Sequence, residues 1–184
     1  MIIPTLGKLS VAQDLVAGAA ASTNQIMASA ILGIGPTDVW LTIHTETEND
    51  GNGGSSSTYT FSLRIATSVA LTTYKEVCSV LIGTGTDGAT DQRLLAAGKR
   101  IAAINVGKML PQLIREFRSE QSLADTDSVY IGLMATLADG NGDANVSINA
   151  SLSTTEPPTE SHRMKTVSNV TVPGVASAGS GTTV

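Results

Sequence analysis

The chain has 184 residues, a net charge of −5, 41% apolar residues, 15% charged residues and only 3% aromatic residues. This balance excludes a nucleic-acid surface, which needs clustered Lys and Arg, and no apolar run approaches the roughly twenty residues of a bilayer span. The single cysteine excludes an internal disulfide framework and the usual multi-cysteine zinc sites, and the scarcity of rings makes the core aliphatic.

At the N-terminus one lysine, Lys8, is followed by an apolar stretch that Asp14 interrupts, so no secretory signal is expected. Ser10 to Ala30 is rich in alanine and reads either as a helical turn or as an extended edge. From Val39 the periodicity is two. Val39, Leu41 and Ile43 alternate with Trp40, Thr42 and His44. Tyr59, Phe61, Leu63 and Ile65 then alternate with Thr60, Ser62, Arg64 and Ala66. Such alternation buries one face of a strand and belongs to antiparallel sheets. Between the two strands, Asn49 to Ser57 (NDGNGGSSS) reads as a long mobile hairpin tip.

Val77 to Ile82 is an apolar strand carrying Cys78, which reads as a small buried hydrophobe and not as a nucleophile. The following Gly83–Gly88 segment, GTGTDG, matches G-x-G-x-x-G. A dinucleotide site would need that loop to open a helix in a parallel βαβ unit. The alternating strands around it argue for a plain loop, and no cofactor is expected. A short helical turn is expected near Gln92 to Ala97, followed by a strand at Arg100 to Val106. Leu113 to Gln121 is expected as a second strand with Leu113, Arg115 and Phe117 on one face, and a helix over Leu110 to Glu120 is the alternative.

Val129 to Ala138 and Ala144 to Leu152 restore the period of two. Phe61, Leu63, Ile65, Ile131, Leu133, Val146 and Ile148 form the expected inward face. Asp139 to Asp143 (DGNGD) reads as a hairpin link, since Gly and Asn accept positive φ at low cost. It also imitates the opening of a calcium loop. Ala144 and Ala150 stand where that loop needs Gly and Glu, so a tight turn is the better account, with calcium kept as the alternative. His44 lies on a polar face and His162 near the C-terminus, with no third partner at metal or triad spacing.

The pattern predicts an all-β fold: an antiparallel β-sandwich or jelly roll over residues 1–152, and an extended C-terminal arm over residues 153–184. The arm is built from Ser, Thr, Pro, Gly and Val without an aromatic residue. It has too little apolar area to offset its ordering entropy and is ordered only against something else. Pro157 and Pro158 enforce an extended exit. Val167, Val170, Val172 and Val175 are spaced to fill pockets or to add a strand to a neighbouring sheet, so these six residues are the candidate partner contacts.

The segment SVAQDLVAGAAASTNQI, Ser10 to Ile26, resembles the N-terminal signature of a family of tailed-bacteriophage capsid cement, or decoration, proteins. WLTIHT and YTFSLRIATS follow as that family's strand pair, and LLAAGKRIAAI and LPQLIREFRSEQSL are similar to its later stretches; the similarity spans Ser10 to Leu137. The arm after Leu152 lies outside it. The resemblance implies a jelly-roll domain on the outer surface of the virion head, bridging subunits of the major capsid protein, without catalytic residues, metal or cofactor. A homo-oligomer, dimer or trimer, is expected. A carbohydrate-binding jelly-roll module is the alternative reading.

Overall fold

The computed structural model describes residues 5–33, 38–47, 58–83, 98, 100–138, 145–157 and 170–171. They form an all-β antiparallel sandwich of two sheets. The strands are β1 (Thr5–Val16), β2 (Gly18–Ala21), β3 (Ile26–Met27), β4 (Trp40–Thr47), β5 (Thr58–Ala66), β6 (Tyr74–Gly83), β7 (Arg100–Asn105), β8 (Tyr130–Ala138), β9 (Asn145–Ser153) and β10 (Val170–Thr171). Among the described residues two helices interrupt them, α1 (Ala28–Leu32) and α2 (Leu110–Glu120). The first sheet has the order β1-β9-β4-β7 and the second β10-β6-β5-β8-β2, with β3 also on β8.

The period-two faces meet between the sheets. Phe61, Leu63, Ile65, Ile131, Leu133, Val146 and Ile148 are all buried there, as their alternation predicts. Leu41, Ile43, Ala150 and Leu152 complete the first sheet's inner face, while Tyr59, Val80, Ile82, Ala135 and Leu137 complete the second's. The core is aliphatic apart from Tyr59, Phe61 and Phe117.

Two expected hairpins are overturned by the strand order. β4 lies in the first sheet and β5 in the second, so the strands flanking residues 48–57 are not hairpin partners. β8 and β9 are likewise in different sheets, so the strands flanking Asp139 to Asp143 are not hairpin partners. Gly-rich composition marks a reversal of the chain, but not which sheet receives the next strand. Both segments themselves, like Gln92 to Ala97, lie outside the described residues. Among strands consecutive in sequence, only β5 and β6 pair directly.

The strand expected over Leu113 to Gln121 is also overturned: Leu110–Glu120 is a helix. Leu110, Ile114 and Phe117 recur at i, i+4 and i+7 and are buried. Pro111 stands in the first turn, where its missing N–H costs nothing, so it starts the helix instead of breaking it. α2 packs on α1 and against β6 and β5, across the end where β7 leaves one sheet and β8 enters the other. Lys75 of β6 ties it down through Glu116 (3.0 Å) and Glu120 (2.5 Å).

Ser10 to Ala30 is extended through most of its length. β1 pairs with β9, then passes through Gly18, at φ +120°, into β2 of the other sheet. Only glycine adopts this φ at low cost. The corner is bolted by side chains. The Ser10 hydroxyl donates to Gln13 Oε1 (2.6 Å), which also accepts the Thr23 N–H (3.1 Å), and Gln13 Nε2 donates to the Ala21 carbonyl (2.9 Å). Ser22 accepts the Leu133 N–H at its Oγ (3.1 Å) and donates its own N–H to the Leu133 carbonyl (2.6 Å). Ser10, Gln13 and Ser22 thus tie β1, the end of β2 and β8 together at the corner.

Candidate interaction surface

Of the six candidate contact residues, the structure describes two. Pro157 follows β9 and is half-buried. Val170 lies on β10, antiparallel to β6, with Val170 opposite Val80 and Thr171 opposite Ser79. Val170 and Thr171 thus lie on the chain's own second sheet, whereas the sequence places them on a neighbouring one. Pro158, Val167, Val172 and Val175 lie outside the described residues.

The choice of β6 is intelligible from the edges on offer. A sheet edge presents unpaired N–H and C=O groups to any passing strand. β1, at one edge of the first sheet, breaks its register with β9 in three places and turns through Ala12 at φ +44°. The Ala12 N–H is taken by Asn149 Oδ1 (2.9 Å), and such bulges blunt an edge. β7, at the other edge, has six residues. β2 and β3 are shorter still. β6 has ten residues and one register break, and its outer edge carries only the two residues of β10 among the described residues. Sequence reading located Val170 but not Ser79 and Val80 opposite it, because nothing in the β6 sequence tells an edge strand from a central one.

The outer face of the second sheet has one distinctive cluster. The Arg64 guanidinium lies over the Tyr74 ring, 3.7 Å from its centroid. Arg64 Nε donates to the Ser62 hydroxyl (3.0 Å), and Nη1 donates to the Leu71 carbonyl (3.2 Å). Those bonds fold the β5–β6 turn over the sheet, burying Leu71 against Ala66 and Met134. Tyr74 and Val69 remain 43% and 54% exposed at its margin. The first sheet's outer face is hydroxyl- and amide-rich. Thr42 and Ser151 share a hydrogen bond (2.9 Å), and Asn149 Nδ2 donates to Glu46.

Among the described residues, the side chains singled out in the sequence do not lie together on either face. Cys78 is buried, and burial first, then the nearby Glu76 charge, pushes its thiol up to about 12, so it is neutral at physiological pH. His44 lies on β4 of the first sheet, and His162 is outside the described residues. Gly83 ends β6, whose neighbours β5 and β10 are both antiparallel, and the rest of the Gly83–Gly88 segment lies outside the described residues. Among the described residues no group of three or more His, Cys, Asp or Glu is placed to hold a metal ion, and no helix is long and apolar enough to cross a membrane. No protein-family model matches the chain, and no curated protein matches it.

Proposed function

We propose that the chain is a structural virion protein, a cement or decoration protein that binds the outer surface of the major capsid lattice and stabilises the head. The strand order carries this reading. β1-β9-β4-β7 facing β6-β5-β8-β2 is the order that two interlocked Greek keys produce, and it supports the jelly roll that the resemblance of Ser10 to Ile26 implies. The polar residues of that segment also have a definite use, in the corner where the chain changes sheets. Tyr59, Phe61 and Phe117, half of the chain's aromatic residues, are buried, which leaves little ring surface for the carbohydrate-binding alternative.

The mechanism is linkage. A ligand that binds the assembled lattice and not separated subunits adds its binding free energy to the stability of the lattice. Contacts repeated by symmetry let each be modest. A C-terminal segment that finds a second sheet edge makes the attachment multivalent, because its second contact is intramolecular.

Co-sedimentation of the purified full chain with assembled heads, and with dissociated major capsid subunits from the same genome, tests the proposal. Binding to heads only, with a raised head melting temperature, is the expected outcome. Equal binding to free subunits, or none to heads, would refute the cement role.

A further inference from the structure

We infer that the outer edge of β6 is an acceptor site for the Val170–Thr171 strand of a second copy of this chain, so that close-packed copies exchange C-terminal strands. The site is the edge from Tyr74 to Val80. β10 covers Ser79 and Val80 of it, and Tyr74 to Cys78 have no partner on that edge among the described residues. The occupant is the chain's own strand because that strand already fits: Val170 and Thr171 pair there in antiparallel register.

Reach permits the exchange. Sixteen residues separate Ser153, the end of β9, from Val170. Extended, they span about 55 Å. A sandwich of this size has a radius of gyration of about 15 Å and is roughly 40 Å across. The strand can therefore reach its own β6 or that of an adjacent copy. Both routes make the same backbone pairs, which is why exchanging an identical element is a low-cost path to an oligomer. What separates them is concentration. A linker of this length holds its strand at an effective concentration of about 1 mM. Below that the strand lies on its own sheet, and at or above it the neighbour's edge competes. Among the described residues the pairing spans two positions, a short latch for holding the first arrangement. The other edges offer no comparable acceptor: β1 is bulged, and β7, β2 and β3 are short.

Ser79 and Thr171 face each other across the pair, which permits a test with full-length protein. One preparation carries Ser79→Cys and another Thr171→Cys. They are mixed and oxidised with glutathione disulfide over a range from about 10 μM to about 1 mM, the scale of the effective concentration. Any disulfide joining the two variants is intermolecular by construction. Cys78 stays in place, since its buried thiol is pushed up to about 12 and exchanges slowly. Ser119→Cys, on the exposed side of α2, replaces Ser79→Cys as the collision control. The expected result is a heterodimer whose yield rises with concentration and exceeds the control by roughly tenfold near 1 mM. A yield equal to the control at that concentration overturns the exchange. The double variant Ser79→Cys/Thr171→Cys checks the register. It should form an internal disulfide when dilute, and failure to form any disulfide overturns the assignment of β6 as acceptor. The exchange rests on the β6–β10 pairing and not on the virion role, so capsid binding and strand exchange fail separately.

Discussion

Leu63→Ala should be among the most damaging single truncations in the second sheet. Leu63 is fully buried at the middle of β5, opposite Cys78 on β6 and Leu133 on β8. Truncation to alanine removes roughly three methylene equivalents, about 2.4 kcal/mol at about 0.8 kcal/mol each. Hydrogen-bonded neighbours on both sides and a facing sheet limit collapse. A residual cavity of about 50 Å³ adds about 1.2 kcal/mol at about 24 cal/mol per Å³. The expected loss is therefore about 3.5 kcal/mol. Urea unfolding should be followed by far-UV circular dichroism and by the fluorescence of Trp40. That residue is the only tryptophan and sits on the opposite sheet, so coincident transitions test whether the sheets unfold together. Val11→Ala, at a side chain 50% exposed, is the control and should change stability by no more than about 0.5 kcal/mol. A loss below about 0.5 kcal/mol for Leu63→Ala would mean that the inner face has been misassigned.

Gly18→Ala should cost about 1–3 kcal/mol. A Cβ there meets nothing within 4 Å, but φ +120° strains any L side chain; an unchanged urea midpoint would show that the corner adjusts freely. Cys78 should resist alkylation at pH 8 in the folded protein and react in urea. Because its folded pKa is raised from 9.0 to about 12, it stabilises the fold below about pH 9 and loses that contribution as pH rises toward 12; rapid modification of native protein would refute its burial. The Gln112 side chain and then the Lys75 ammonium hold the Glu116 carboxyl below its ordinary 4.5, so its contribution is present above about pH 4.5 and fades as pH falls. The Glu120 carboxylate, more than Glu116, holds Lys75 above 10.5, so that contribution fades only as pH rises past this value. The melting-temperature gap between wild type and Glu116→Gln should be small at pH 7 and vanish near pH 3; a gap unchanged down to pH 3 would argue that it is not electrostatic.

The strands with one buried face were legible to within a residue or two. β4, β5, β7, β8 and β9 begin and end close to where the alternation places them, because a sandwich with one wet side writes its period into the side chains. At Leu110 to Glu120 the sequence left a strand and the observed helix as alternatives, because Leu113, Arg115 and Phe117 alternate well enough to imitate a strand. Only the buried set Leu110, Ile114 and Phe117 shows the longer period. Sheet membership was hidden for another reason. Turn chemistry is local, and whether the next strand joins the same sheet is decided by partners distant in sequence, as when Trp40 pairs with Ser153. The candidate contacts were legible as composition alone. Val170 stood out as one of several spaced valines, while its acceptor on β6 depended on which strand the fold leaves at an edge.

The placement of β9 has a consequence for how the protein is made. This last strand of the first sheet sits between β1 and β4, so β1, starting at Thr5, pairs with residues ending at Ser153. Until β9 leaves the ribosome, β1 has no strand to lie on in its own sheet, and β4 has β7 alone. Leu9 and Leu15, both buried in the finished protein, must stay wet or sheltered through most of synthesis. At roughly 5–20 residues per second, that wait is of the order of ten to thirty seconds. Nascent chains stalled short of β9 should therefore be protease-sensitive in β1 and β4, and the sandwich should close after translation, with the slow kinetics of a fold dominated by distant contacts.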